Sequence, residues 1–410
     1  MNARRDLAIL VGAVGVSAAG DLAALSALAV HLQQTTGSGL VVAALAAANW
    51  LPLALGAPAA GALVDRMDAR RLLIVASTGQ VLVALALATT PGTGGVLALT
   101  ALLGVGGAVA VPAEFALVGV LVAQGAGSGR ANGRVETARY VGYLVGPLAG
   151  TALTAAAGVG AALAADGASF AAVALGAALL HSRRPPAPSD APRPRARDGI
   201  ALLACDRVLR LTVVVLVGSL LAMSTSVSAD VFFAQQSLGV GSIGLGLLLS
   251  AWMAGMVAGS LTLAPRVPAG LLALAALAAT AVQGSGKLFG AAIALLPVTL
   301  ALYALGGAGQ GVKNVSARAL IHERVAPEAH GRAFAAFAGL RNCAELAALG
   351  LGGLMVDLLG ARTTLMVAGG GTVLTGLAGL LMLRRPALSR LAGVARESLR
   401  RGTPNEGFGA

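Results

Sequence analysis

Gly61-Ala62-Leu63-Val64-Asp65-Arg66-Met67-Asp68-Ala69-Arg70-Arg71 is a short charged interruption between two apolar segments, 40–64 and 72–89. Each segment is long enough, or nearly so, to cross ~30 Å of hydrocarbon at about 1.5 Å per residue. Spans joined by so few residues must leave and re-enter the bilayer on one side. The three arginines mark that side as cytoplasmic, because Lys and Arg accumulate in cytoplasmic loops. The fold turns on whether this unit, two spans around a basic turn, recurs along the chain.

It does. The 410 residues are 57% hydrophobic and only 11% charged, with mean hydropathy +0.84. A soluble chain of this length needs far more polar surface, whereas lipid solvates an apolar exterior. Twelve segments read as membrane helices: 7–30, 40–64, 72–89, 96–123, 135–157 and 160–180, then 208–233, 243–264, 269–282, 291–315, 333–356 and 363–383. The ninth is short and extends through Gln283.

With the N-terminus inside, the cytoplasmic segments hold Arg4, Arg5, Arg66, Arg70, Arg71, Arg130, Arg134, five arginines between 183 and 197, Arg207, Arg210, Arg266, Arg318, Arg324, Arg332 and the arginines of the tail. The outer loops hold only Lys287 and Arg362. One missed or invented helix would flip half of this pattern. The net charge of +12 is therefore a topology signal rather than a nucleic-acid-binding face.

The expected fold is an all-α membrane protein of twelve helices in two parallel six-helix repeats. A shift of about 200 residues relates the halves. Arg5-Asp6 answers Asp206-Arg207, Trp50 answers Trp252, and Arg66 answers Arg266. Gly106-Gly107-Ala108 answers Gly306-Gly307-Ala308, Gly133-Arg134 answers Gly331-Arg332, and Arg183-Arg184 answers Arg384-Arg385. The expected division is a bundle over 1–182, a Pro- and Arg-rich cytoplasmic linker over 183–204, a bundle over 205–385, and a tail over 386–410. Pro and Arg deny the linker a packed core of its own.

Other chemistries are absent from the sequence. Cys205 and Cys343 read as unpaired, and neither has metal-ligand spacing to a histidine. No Gly-Lys-Ser/Thr loop could cradle ATP, and His322-Glu323 lacks the second histidine of a zinc protease. No cofactor or metal is expected. The first apolar segment is too long for a cleaved leader.

These features resemble the major facilitator superfamily over nearly the whole chain. Gly61 to Arg71 looks like that family's signature between helices two and three. Met67-Asp68-Ala69 stands where one glycine is usual. That variant is similar to the drug- and siderophore-exporter branch, including enterobactin-exporter-like and macrolide-efflux-like proteins. Gly20-Asp21, Ala131-Asn132 and Asp166-Gly-Ala-Ser-Phe170 look like the same branch. Gly142-Tyr-Leu-Val-Gly146-Pro147-Leu-Ala-Gly150 resembles the antiporter signature of helix five, with Thr151 where a second glycine is common. The fourth helix departs from many proton antiporters in lacking a mid-helix arginine. The resemblance implies a monomer in the plasma (inner) membrane that exports a small amphipathic compound, a drug, antibiotic or siderophore, as protons enter. An importer of the same fold is the alternative, and a membrane-embedded sensor or enzyme a remote one.

Read with that resemblance, the residues suggest a gate, a hinge and a coupling site. Gly61 lets two helix ends approach. Asp65 can cap or pair, and Arg66, Arg70 and Arg71 can reach the other half, giving contacts made in one state and broken in the other. Glu114 and Lys313 sit at nearly equivalent places in helices four and ten and could close the same gate. Gly142, Gly146 and Gly150 recur every four residues as a flat stripe, and Pro147 bends the helix. Intramembrane charges cost ~2.5–3.5 kcal/mol each on insertion scales, so they call for a reason. Asp21 lies roughly 22 Å along helix one and Glu345 roughly 18 Å along helix eleven. Both are candidates for proton or substrate binding. Arg341, one turn from Glu345, could instead hold it in a static pair. Asp166, Asp230 and Asp357 read as nearer the outer interface and solvated. With 3% aromatic residues, stacking is not expected to dominate recognition.

Overall fold

A computed structural model describes residues 2–90, 92–124, 128–182, 196–326 and 329–401. The side chains of residues 2, 57, 58, 60–62, 65, 128–130, 132, 196–198, 331, 335 and 384–401 lie outside that description. They include Asp65 and the position of Gly61.

The first half is six long helices: α1 (Asn2–Thr36), α2 (Gly39–Arg66), α3 (Ala69–Thr89), α4 (Thr93–Ala123), α5 (Ser128–Ala157) and α6 (Val159–Leu179). A short helix, α7 (Ala196–Cys205), opens the second half. The remaining helices are α8 (Arg207–Ser224), α9 (Ser226–Phe232), α10 (Gly241–Ala258), α11 (Leu272–Ile293), α12 (Leu296–Arg324), α13 (His330–Leu359) and α14 (Ala361–Arg401). Lipid offers the backbone no hydrogen bonds, so an apolar chain must satisfy its peptide groups internally, and helices do so.

Among the described residues, eleven spans are long and apolar enough to cross a membrane. The twelfth crossing is α12, whose hydropathy is diluted by Gly306, Gly307, Gly309, Gly311, Lys313 and Asn314. Its glycines have a packing role. A Cβ at Gly307 would strike the Trp252 backbone, and one at Gly311 would strike that of Met256. Gly255 and Gly259 of α10 meet Ala304 and Ala308 in the same way. Two helix backbones therefore touch, as small residues permit in lipid.

The helix-five stripe does the same for α1. Gly142 lies on Gly15 and Ala18, Gly146 on Ala19, and Gly150 on Ala23. The stripe thus fixes α5 beside the segment of α1 that carries Asp21.

Three expectations change. The ninth membrane helix does not stop near Gln283. After a 3-10 turn at Ala269–Leu271 it runs to Ile293, where Ala294 takes a left-handed conformation (φ 51°). Lys287 is therefore inside a helix and 4% exposed, not in an outer loop. The polar run Gln283-Gly-Ser-Gly-Lys287 reads as a loop only while its partners are unknown. Second, part of the expected linker is ordered: α7 packs Gly199 and Leu203 onto the start of α13. Third, α14 continues to Arg401, beyond the expected start of the tail.

The arginine-bearing turn between α2 and α3 lies at one end of the bundle, termed here the arginine-rich end. At the far end the two halves meet. α2 crosses α13 where Gly39 abuts Gly353 and Val356, and α5 crosses α10 where Gly246 abuts Pro147 and Leu148. Ser250 Oγ donates to the carbonyl of Leu144 at 2.7 Å, within the turn that precedes Pro147. Asp357 of α13 accepts hydrogen bonds from the start of α2. Among the described residues, no hydrogen bond or ion pair joins the halves at the arginine-rich end. The structure is closed at the far end.

Candidate functional site

Between the halves lies a cavity of about 690 Å³. It adjoins a second compartment of about 310 Å³ that shares Trp50, Met253 and Glu345 in its walls. The larger lies at mid-bundle, where α1, α2, α4, α5 and α13 contribute residues from their middle turns. Both tryptophans of the chain, Trp50 and Trp252, line the smaller compartment. Tyr143 and Phe170 line the larger. Of the chain's thirteen aromatic residues, these four line the two compartments.

The first half supplies one cluster of charges. Asp21 of α1 is exposed to the cavity. A small recess joins it to Glu114 of α4 and Arg139 of α5. Arg139 Nη2 donates to Glu114 Oε2 at 2.9 Å, and Arg139 Nε lies 3.8 Å from Glu136. The guanidinium also sits over Phe115, 5.8 Å from the ring centre. Arg139 is thus an arginine within the span of helix five, where helix four has none. It is the residue that sequence reasoning overlooked, although an arginine inside an apolar span was signal enough.

Asp166 of α6 is 1% exposed and reaches the cavity wall, accepting from Ser169 Oγ at 3.4 Å. It abuts Gly20, beside Asp21, and so belongs to this cluster rather than to a solvated interface.

The second half supplies another. Lys287 Nζ of α11 lies 2.5 Å from both carboxylate oxygens of Asp230 in α9. Tyr303 Oη donates to Asp230 at 2.8 Å. The ammonium sits 4.4 Å from the Tyr303 ring centre and 5.1 Å from that of Trp252. Trp252 Nε1 donates in turn to Gln310 Oε1 at 2.6 Å. Asp230 is 4% exposed, which overturns its reading as a solvated residue. A charge pair this deep survives only with its lone pairs and protons satisfied, and here they are. A π-helical turn, Phe233–Ser237, begins three residues after Asp230, a local unwinding common near functional positions.

The gate candidates separate. Glu114 takes Arg139, while Lys313 Nζ donates to Gln283 Oε1 at 2.5 Å, so the two are not paired in this structure. Arg70 does not reach the other half. Its Nε donates to the carbonyl of Ala177 at 2.9 Å, and its Nη2 to that of Ala178, closing the C-terminal end of α6. Arg66 and Arg71 are exposed. Asp68 caps α3, accepting from the amides of Arg70 (2.8 Å) and Arg71 (3.2 Å), and the Asp65 side chain lies outside the described residues. Arg341 and Glu345 both line the large cavity from α13, and among the described residues no ion pair joins them. The expected static pair is absent.

A family model described as Major Facilitator Superfamily matches residues 10–286, about two thirds of the chain. No curated protein sequence matches. Among solved structures, the nucleoside transporter NupG is similar at TM-score 0.73 and 14% identity, covering 94% of this chain and 100% of that one. The human organic anion transporter MFSD10 (TETRAN) gives TM-score 0.63 at 18% identity, covering 92% of this chain and 100% of that one. A POT family transporter in complex with a thioalcohol-conjugated peptide gives TM-score 0.71 at 11% identity, covering 93% and 96%. The three carry different substrates on one fold.

Proposed function

The chain belongs to the major facilitator superfamily and is a multi-pass secondary transporter; we propose that it exports a small amphipathic compound in exchange for protons. The arginine-rich end, with both termini, faces the cytoplasm, since arginine-bearing connections are retained there. The far end, closed here, then faces outward, and the conformation is the one that loads substrate from the cytoplasm.

One observation carries the exchange: Asp21 faces the same cavity that a substrate would fill. Proton and substrate then compete for one place. From the cytoplasm, substrate enters the cavity as Asp21 gives up its proton. After the halves rock, substrate leaves outward and Asp21 is protonated again from outside. Each ligand must favour a different step of the cycle for coupling to arise. Glu114 and Glu136 hold Arg139 beside Asp21 in this state and keep the recess polar. On the opposite wall, Glu345 and Arg341 offer a second acid and a cation to the substrate.

Closing the arginine-rich end would bring α4 toward α12. Glu114 and Lys313 then become partners by exchanging Arg139 and Gln283, and Gly61, Asp65, Arg66 and Arg71 form the surrounding seal. Arg70 stays on α6. The transporter acts as a monomer and without a cofactor.

Everted vesicles loaded with candidate compounds outside test this reading. An inside-acid gradient should drive accumulation that a protonophore abolishes. Accumulation in right-side-out vesicles under an outside-acid gradient would instead make the protein an importer.

A further inference from the structure

α2 begins at Gly39, and the residue in its N-cap position is Ser38, a type that ordinarily caps with its own hydroxyl. Here Ser38 makes no such bond. The cap comes from the other half. Asp357, near the end of α13, accepts from the Gly39 amide at 2.5 Å, the Leu40 amide at 3.2 Å and the Ser38 hydroxyl at 3.2 Å. A carboxylate thus sits on the positive end of a helix, satisfying amides that α2 itself leaves open. The crossing beneath is equally tight: a Cβ at Gly39 would lie 2.7 Å from the Gly353 carbonyl and from Val356 Cβ. Asp357 is nonetheless exposed at the surface, so separation of the halves would hydrate it at little cost.

We propose that Asp357 is a positioning residue for transport: it caps α2 in trans and latches the far end shut, and Ser38 takes over the cap in cis when that end opens. The inference rests on alternating access by the two halves but not on the coupling ion or the direction of transport. The latch thereby weights the conformational equilibrium. Losing it favours the state open at the far end, and restoring a carboxylate restores the balance.

The test reads conformation rather than transport. Leu249 lines the smaller cavity compartment from α10. Leu249→Cys, with Cys205→Ser and Cys343→Ser, is labelled by an impermeant maleimide applied from either face of oriented vesicles. Asp357→Ala should raise the labelling rate from the far end about fivefold, a change of ~1 kcal/mol. Asp357→Asn, which keeps one acceptor oxygen, should give a smaller rise, and Asp357→Glu should return to the parent rate. Gly39→Val should open the same end by steric means alone. An unchanged rate in correctly folded Asp357→Ala overturns the latch, as does an equal rise from both faces, which would signal a loosened fold. Should Asp357→Ala not reach the membrane, the Asn and Glu variants decide between the same outcomes. A second arm uses Ser38→Cys with Asp357→Cys: oxidation should cross-link them and stop transport, with recovery on reduction. Undiminished transport by the cross-linked protein would also overturn the proposal. Loss of proton dependence with the labelling pattern intact would count against the coupling reading alone.

Discussion

Lys287 and Arg139 are each neutralised by a carboxylate distant in sequence, 57 residues away for Asp230 and 25 for Glu114. That distance is why neither role could be read locally. Removing one member of such a pair leaves an uncompensated charge, whereas removing both leaves a nearly neutral site. Lys287→Met should therefore lower unfolding stability by about 3–5 kcal/mol. Adding Asp230→Leu should return most of that loss. Thermal unfolding of the purified variants checks both, and equal losses in single and double variants would contradict the pairing. Glu345 behaves differently because it has no ion-pair partner among the described residues. Glu345→Gln should leave membrane abundance unchanged while altering substrate concentration dependence. An abundance loss rescued by Arg341→Gln would restore the static pair that the structure lacks.

At the level of elements, glycines and arginines divide the work of holding helices together. The α5 stripe was legible from its four-residue spacing, and its partner, α1, was not. Gly150→Leu should sharply reduce abundance, because the added carbons meet the Ala23 backbone. Gly12→Leu on the same pair of helices meets nothing within 4 Å and should be tolerated. Equal abundance of the two variants, measured by immunoblot of membranes, would remove the stripe from the packing account. Arginines clamp helix ends. Arg70 reaches the last carbonyls of α6, and Arg362 reaches those of α11, donating to Ala291 at 3.0 Å and Ala292 at 2.6 Å. Each satisfies carbonyls that the helix leaves open and places a cation at the negative end of its dipole. Arg362→Ala should cost roughly 1 kcal/mol of stability, for the side chain is exposed. Calorimetry in detergent would show it as a modest fall in Tm.

For the whole molecule, the two-half architecture was readable because lipid imposes length, apolarity and charge asymmetry on every span. Trp50 and Trp252 already marked equivalent positions, and both line the smaller compartment of the cavity, one from each half. What escaped was anything set by tertiary neighbours. Asp166 and Asp230 looked solvated because nothing local to them announces Gly20, Lys287 or Tyr303. The polar helix α12 was read as a span over 291–315, but the neighbours that its glycines meet were not. The central claim concerns Asp21, which faces the cavity without a cationic partner of its own among the described residues. Asp21→Asn keeps the shape of the side chain and cannot change charge. In proteoliposomes, exchange of labelled for unlabelled substrate at equal pH on both sides should persist in this variant, while transport driven by a proton gradient should vanish. Gradient-driven transport that survives Asp21→Asn with its protonophore sensitivity intact would contradict the account.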